Sequence, residues 1–313
     1  MAAIVRMPER PSARPEGRYI AASPQMIELL NKVERVAGLR WPVLITGETG
    51  SGKEGIARAL HQSSPRARCP FVVVDAGALP ETLVISEIFG HERGAFTGAI
   101  GTHCGVFESA HTGTLFLDEV GELSLTTQAK LLRVVETSEV RRIGSSQMRR
   151  VDVRVVCATN RNLREMVSAG TFRADLYHRL ACVVLEVPPL RERPMDAVEL
   201  VEHFVELISA ELGRVSLTEG ARIRLAAHPF PGNVRELRNL LAAAAIGSIG
   251  RFIDVVDIEA AIAAVSSEPM TSAPTSLTQA MQVAKGNITA AAKALGLPRT
   301  TLRDRLRAEA RRQ

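Results

Sequence analysis

Apolar positions along the chain follow two periods. Met26, Leu29, Leu30, Val33 and Val36 recur at helical spacing between Ser23 and Gly38, which predicts a helix. Five short, nearly continuous apolar runs then alternate with helical stretches: VLIT at 43–46, FVVVD at 71–75, TLFLDE at 114–119, VRVVCATN at 153–160 and CVVLEV at 182–187. A strand can be apolar on both faces only where both are covered, and such strands alternating with helices make a parallel sheet. The fold class expected is α/β. After VPPLRERP the helical period runs to about residue 264, interrupted by PFPGN at 229–233, where a new helix begins.

Boundaries follow from the same pattern. Residues 1–18, rich in Pro, Arg and Glu, form a flexible lead-in; 19–187 the α/β core; 188–265 a smaller helical subdomain; 266–276 a Ser/Thr/Pro linker; and 277–313 a terminal module. In that module Ala280, Met281 and Val283 give a first helix ended by Gly286. Ile288, Ala291, Ala292 and Leu295 give a second, Gly296 makes the turn, and Leu302 and Leu306 anchor a third. Three short helices with a Gly turn before a basic third one predict a helix-turn-helix.

Charge sharpens that picture. The chain carries +5, yet residues 275–313 hold eight Lys or Arg against two acids, leaving −1 for everything else. A basic module on a nearly neutral body suggests polyanion binding, with a solvated, disordered basic tail as the other reading of the charge; joined to the helix-turn-helix pattern, it makes double-stranded DNA the expected partner. Arg299, Thr300, Thr301, Arg303 and Arg305 are the side chains expected at the major groove and its phosphates. A helical hairpin for oligomerisation is the other reading of this segment. Cys69, Cys104, Cys157 and Cys182 are too far apart for a metal cluster. Arg and Pro interrupt the short apolar start of the chain, and no apolar run nears the ~20 residues that cross a bilayer. The sequence is read as cytoplasmic, with no membrane partner.

The candidate chemistry begins where VLIT ends. Gly47, Glu48, Thr49, Gly50, Ser51, Gly52, Lys53 and Glu54 follow a strand and open a helix, the setting of a phosphate-binding loop. Glycines let backbone N–H groups curl around phosphate, and Lys53 reaches the β and γ oxygens of ATP. Glu54 stands where Ser or Thr would ligate Mg²⁺ in the general pattern, so metal binding leans on another acid. TLFLDE supplies one: Asp118 for Mg²⁺ and Glu119 to orient and activate the attacking water. Asn160, after a third strand, is placed to position that water or sense the γ-phosphate; as a lone residue it also reads as a turn former.

These residues resemble those of a known family. GETGSGKE, GHERGAFTGA (90–99), GTLFLDE (113–119), ATNRNL (158–163), FRADLYHRL (172–180), LRERP (190–194) and PGNVRELRN (231–239) occur in the order found in sigma-54-dependent activators, the bacterial enhancer-binding proteins. The resemblance covers about residues 19–264, and the tail is similar to the Fis-type helix-turn-helix that closes many of them. It implies an AAA+ ATPase core with a helical lid, hexameric rings with ATP at the subunit interfaces, and a sigma-54 RNA polymerase partner. Glu54 is normal in this group. The resemblance assigns Gly94, Ala95, Phe96, Thr97, Gly98 and Ala99 to a surface loop that engages sigma-54, with Phe96 and Thr97 at its tip. Arg173 and Arg179 match its arginine fingers and Arg235 the sensor arginine of its lid. The two fingers lie in a polar segment read as lacking counter-ions nearby, which suits a role in a neighbour's site; without the resemblance, surface salt bridges are the favoured reading of these arginines.

Three positions depart from the family pattern: Ala21 for a usual Gly, Phe230 for a usual Trp, and Asp75 for an Asn thought to couple the γ-phosphate to the catalytic Glu. An ionised Asp has no donor for Glu119, so Asp75 either keeps its proton or leaves that restraint absent. Only about twenty residues precede the ATPase, where many relatives carry a receiver or sensing domain. Control is therefore expected from a regulatory protein acting in trans, from expression level, or from sequence trimmed away upstream. A DNA-binding regulator without sigma-54 contact would lack GAFTGA, and a generic AAA+ unfoldase would lack the helix-turn-helix.

Overall fold

The computed structural model describes residues 19–267, apart from positions 79, 214, 249 and 251. Two compact units meet in the chain at Ala261 and Ile262. The elements run α1 (Pro24–Ala37), β1 (Val43–Thr46), α2 (Lys53–Gln62), β2 (Phe71–Asp75), α3 (Glu81–Phe89), α4 (Val106–Ser109), β3 (Thr114–Asp118), α5 (Leu125–Thr137), β4 (Glu139–Arg141), β5 (Met148–Arg150), β6 (Arg154–Thr159), α6 (Leu163–Ser168), α7 (Ala174–Leu180) and β7 (Val183–Glu186). The lid follows as α8 (Pro194–Leu212), β8 (Ser216–Leu217), α9 (Glu219–Ala226), α10 (Asn233–Gly247), β9 (Phe252–Ile253) and α11 (Val255–Ser267).

The five apolar runs form one parallel sheet in the order β2-β3-β6-β1-β7. Alternate side chains go to opposite faces, as the pleat requires. Leu44, Leu115, Leu117 and Cys157 pack with Val84, Ile88, Leu131 and Leu176 on one face, whereas Val43, Ile45, Phe116, Val156 and Ala158 pack with Met26, Leu29, Ile56 and Leu60 on the other. All six residues of β6 are buried, while the edge strands expose Val73 and Val184. Each fully buried Leu or Phe here contributes about 1.5–3 kcal/mol, so this double-sided core fixes the strands and hence the residues at their ends.

Parallel strands end together. Thr46 lies beside Thr159, and Asp75 beside Asp118, so the residues that follow β1, β2, β3 and β6 gather along one edge of the sheet. That edge, where β1 has been inserted between β6 and β7, is where open α/β sheets bind ligands. Two features escape the apolar pattern: the antiparallel β4–β5 hairpin and the two-residue β8–β9 pairing in the lid. All four cysteines are free, with Cys157 buried in the sheet. Among the described residues no helix is long and apolar enough to cross a membrane.

Candidate functional site

The loop from Gly47 to Gly52 turns the end of β1 into the start of α2. Gly50 has φ +75°, and a Cβ there would lie 2.4 Å from the Gly232 carbonyl oxygen, so no other residue fits the approach of loop to lid. Gly52, with φ +103°, serves as the N-cap of α2. Lys53 folds back across the loop. Its ammonium is buried, donates to the carbonyls of Gly47 (3.0 Å) and Glu48 (3.3 Å), and lies 3.5 Å from Glu119 Oε1. Glu54 faces Arg58 one turn along the helix, at 2.6 Å.

β3 delivers Asp118 and Glu119 to the same edge. Glu119 has φ +51°, a left-handed conformation that costs a residue with a Cβ and clusters at functional sites. Asp118 Oδ1 accepts from the Glu119 N–H (3.0 Å). Burial first, and then the charge of Glu119, raise the Asp118 carboxyl above the usual aspartate range. Glu119 Oε2 accepts from the Asn160 N–H (3.2 Å), and Asn160 Nδ2 donates to Thr49 Oγ1 (2.8 Å). Lys53, Glu119, Asn160 and Thr49 thus meet across three strand ends.

Asp75 behaves differently from its expected role. Its Oδ1 accepts from the Gly77 N–H at 2.8 Å, closing a short turn after β2. The Glu119 carboxylate is contacted instead by Lys53 and the Asn160 backbone, from the other side of β3. For Mg²⁺, a small ion that keeps waters and takes one or two carboxylates plus substrate phosphates suits this donor set better than a cage would. No group of three or more metal-ligating side chains occurs among the described residues. Asp118, whose ionised form is disfavoured by burial and like charge, is a donor that gains from a cation.

The Gly-Ala-Phe-Thr-Gly-Ala loop closes on itself between α3 and α4. The Gly94 N–H donates to the Ala99 carbonyl (2.9 Å) and the Ala99 N–H to the Phe96 carbonyl (3.0 Å). Phe96 rests edge-on against His91, with centroids 4.9 Å apart, yet stays 38% exposed; Thr97 is exposed, and Ile100 is 86% exposed. The base of the loop is tied to the β4–β5 hairpin: Arg142 forks onto Glu108 (2.7 and 2.7 Å) and also reaches Glu92 (3.2 Å).

The candidate arginines are unlike one another. Arg173 is paired, forking onto Asp175 at 3.0 and 2.8 Å, which corrects the expectation of no nearby counter-ion: the acid two residues on was in reach all along. The Arg179 guanidinium has no ion pair among the described residues. It lines a cavity of about 690 Å³ with Arg40, Pro42, Val153 and Cys182. Those three neighbours, Pro42, Val153 and Cys182, lie just before the starts of β1, β6 and β7, so Arg179 sits at the opposite end of the sheet from Lys53. Arg235 is exposed in the first turn of α10, its Cβ 3.0 Å from where a Gly50 Cβ would stand. Arg299, Thr300, Thr301, Arg303 and Arg305 lie outside the described residues.

Comparison with known proteins now bears on this arrangement. A model of the sigma-54 interaction domain matches residues 19–186, one of the AAA+ ATPase lid domain residues 191–275, and one of Fis-family bacterial regulatory proteins residues 276–308. The chain belongs to the sigma-54 activator family. Among similar members are the anaerobic nitric oxide reductase transcription regulators NorR of Citrobacter koseri, 53% identical over 233 residues (74% of this chain, 46% of the relative), and of Salmonella newport, 51% identical over 262 residues (83% and 52%). The chain spans about half the length of the curated relatives it matches. NtrX from Brucella abortus, solved with ADP, is 33% identical with a TM-score of 0.72, covering 93% of this chain and 69% of that one. RuvB from Thermotoga maritima, at 16% identity and TM-score 0.52, shares the fold alone.

Within this sigma-54 activator, two sets of residues were missed by sequence reasoning. Arg191 and Asn233 both bind Glu48 of the phosphate loop, and the Arg191 fork, then the Asn233 amide, hold the Glu48 carboxyl down to about 2. Arg193 and Asp196 are fully buried: Arg193 donates to the Ser51 carbonyl (2.6 Å), and Asp196 accepts from the N–H groups of Ala22 (2.6 Å) and Ser23 (2.7 Å). The LRERP motif contained two of these four residues, but nothing in its spacing said what they would touch.

Proposed function

We propose that this sigma-54 activator hydrolyses ATP and uses the cycle to remodel the closed complex of sigma-54 RNA polymerase into the open one, bound to upstream DNA by its C-terminal module. The observation that carries the reading is the meeting of Lys53, Glu119, Asn160 and Thr49 behind a phosphate loop. Lys53 neutralises the β and γ phosphate oxygens. Asp118, with those oxygens, would hold Mg²⁺, which when bound offsets charge on the transferring phosphoryl group. Glu119 takes the proton from a water as its oxygen attacks phosphorus, the bond to the bridging oxygen breaks, and ADP leaves with inorganic phosphate. Asn160 keeps that water and Glu119 in line.

Hydrolysis on this reading is completed in a hexameric ring. Arg179, at the far end of the sheet from the nucleotide loop and with no ion pair to its guanidinium among the described residues, is suited to a neighbour's γ-phosphate. Arg173 must first release Asp175, an exposed pair that solvent screens. Arg235 reads the nucleotide from the lid. Phe96 and Thr97, raised on a closed loop, contact sigma-54. The nucleotides named with NtrX agree with this use of the loop.

The test compares the parent with Glu119→Gln and Thr97→Ala in ATPase assays and in open-complex formation on a sigma-54 promoter. Glu119→Gln should bind ATP without hydrolysing it. Thr97→Ala should keep most of the ATPase rate and form no open complex. Hydrolysis by Glu119→Gln at the parent rate would remove the assignment of the active site, and loss of both activities in Thr97→Ala would make the loop a structural part of the ring.

A further inference from the structure

Residues 48–50 of the phosphate loop are gripped from two directions. On the lid side, Arg191 forks onto Glu48 at 2.6 and 2.8 Å, and Asn233 donates to Glu48 Oε2 (3.0 Å) and to the Thr49 carbonyl (3.1 Å). Asn233 is fully buried with φ +56°, a conformation Asn tolerates better than most residues, and its Oδ1 accepts from the Leu190 N–H at 2.7 Å. The Val234 N–H donates to the Gly50 carbonyl at 3.0 Å. On the sheet side, Thr49 Oγ1 accepts from Asn160 Nδ2 (2.8 Å), and the N–H of the same Asn160 donates to Glu119 Oε2 (3.2 Å).

We propose that this chain of hydrogen bonds, from Arg191 and Asn233 through Glu48 and Thr49 to Asn160 and Glu119, is a relay by which the position of the lid sets the aim of the water-activating carboxylate. It rests on the reading of Glu119 as the hydrolytic group. Thr49 and Asn233 are positioning residues in this scheme; neither acts on the water itself. Movement of the lid pulls on the loop through the Val234 N–H on the Gly50 carbonyl and the Asn233 and Arg191 contacts with residues 48 and 49. A shift of the loop carries Thr49 with it and changes what Asn160 can bond, and Asn160 carries one of the two contacts that hold Glu119. The coupling needs no new charge: past the Arg191 fork each link is a single hydrogen bond, enough to bias a side chain between two orientations.

The relay predicts non-additivity. Thr49→Val keeps shape and removes the acceptor for Asn160; Arg191→Gln removes the fork on Glu48. Both positions are at least partly exposed, so neither variant creates a buried cavity. Steady-state ATPase of the full chain should show kcat down about tenfold in each single variant, with KM and the Kd of a fluorescent ATP analogue within about twofold of the parent. The double variant should also be down about tenfold, because a chain already cut at one link loses nothing at the next. Arg191→Lys, which keeps the charge without the fork, should fall between parent and Arg191→Gln. Losses that multiply to about a hundredfold would overturn the relay, as would changes confined to KM and Kd, which a purely structural latch gives. A parent that hydrolyses no ATP would overturn the reading of the site and the relay with it, whereas an active parent with multiplying losses overturns the relay alone.

Discussion

In the phosphate loop three polar side chains have partners within the same chain, Lys53 on two carbonyls and Glu119, Thr49 on Asn160, and Glu48 on Arg191 and Asn233, while the buried Ser51 hydroxyl has none among the described residues. Forty residues on, the loop at 94–99 is built the other way. Its base is held by the Arg142, Glu108 and Glu92 cluster, but two large apolar side chains reach the surface, Phe96 resting against His91 yet 38% exposed and Ile100 almost wholly exposed. The first region is organised before any ligand arrives, which is what electrostatic catalysis requires. The second keeps its contact surface uncovered, which stability alone does not explain. Their difference teaches that the chain encloses its chemistry and exports its output.

The sharpest way to break that contrast is at Lys53. Its ammonium is the one cation among the described residues beside Asp118 and Glu119, so Lys53→Ala should abolish nucleotide binding in a titration with a fluorescent ATP analogue and reduce ATPase below about a thousandth of the parent rate. Binding at parent affinity would mean that the loop grips phosphate by its backbone alone.

Next in size are the arginines. Arg179→Ala and Arg173→Ala should each cost at least about a hundredfold in hydrolysis, given finger contributions of 10³ to 10⁵. The free Arg179 should give the larger loss. Mixing either variant with Glu119→Gln subunits should restore some activity, because an intact finger can then meet an intact Glu119 at one interface. No rescue in rings demonstrated to be mixed would count against action between subunits.

Much of this was legible in the sequence because local pattern and global position coincide. The strand runs end within a residue or so of the observed strands, and the acids and Asn160 follow strands whose order places their ends together. What stayed hidden depends on residues distant in sequence or on mixed polarity. Glu48 and Arg191 are 143 positions apart, and no spacing rule joins them. The β4–β5 hairpin, with EVR facing MRR, offers no alternation to read. Asp75 reads in the sequence as a residue facing Glu119, but the backbone turns its carboxylate to the Gly77 N–H.

The exported loop gives a third test. Arg142 and Glu108 are both mostly buried, and Glu108 holds its partner's charge so firmly that the Arg142 guanidinium is pushed above its usual range. Removing Arg142 takes away the short fork and leaves Glu108 only the longer, more exposed contact with Arg149 at 3.5 Å. Arg142→Ala should therefore lower the melting temperature. It should also reduce open-complex yield more than ATPase rate, since it loosens the base of the loop and leaves Lys53 and Glu119 untouched. An equal loss of both would show that the hairpin supports the nucleotide site as well.

The smallest effect returns to the nucleotide site and concerns stability. The Asp118 carboxyl is raised by burial and by Glu119, so the folded chain binds that proton more tightly than the unfolded one. A raised acid pKa contributes stability that is fully present below the unfolded value, near 3.8, and is lost as pH rises through the folded value. Above its folded value Asp118 is ionised at some cost to the nucleotide-free protein, a cost that a cation and nucleotide would offset. Asp118→Asn keeps the shape and removes the charge. Melting curves without ligand at pH 7 should place this variant above the parent, and the gap should shrink as pH falls toward 4. Addition of Mg²⁺ with a non-hydrolysable ATP analogue should raise the parent's melting temperature more than the variant's, reversing or closing the gap. If the unliganded variant melted at or below the parent temperature across this pH range, the Asp118 carboxylate would be at no disadvantage in the empty site, and its preference for a cation would need another cause.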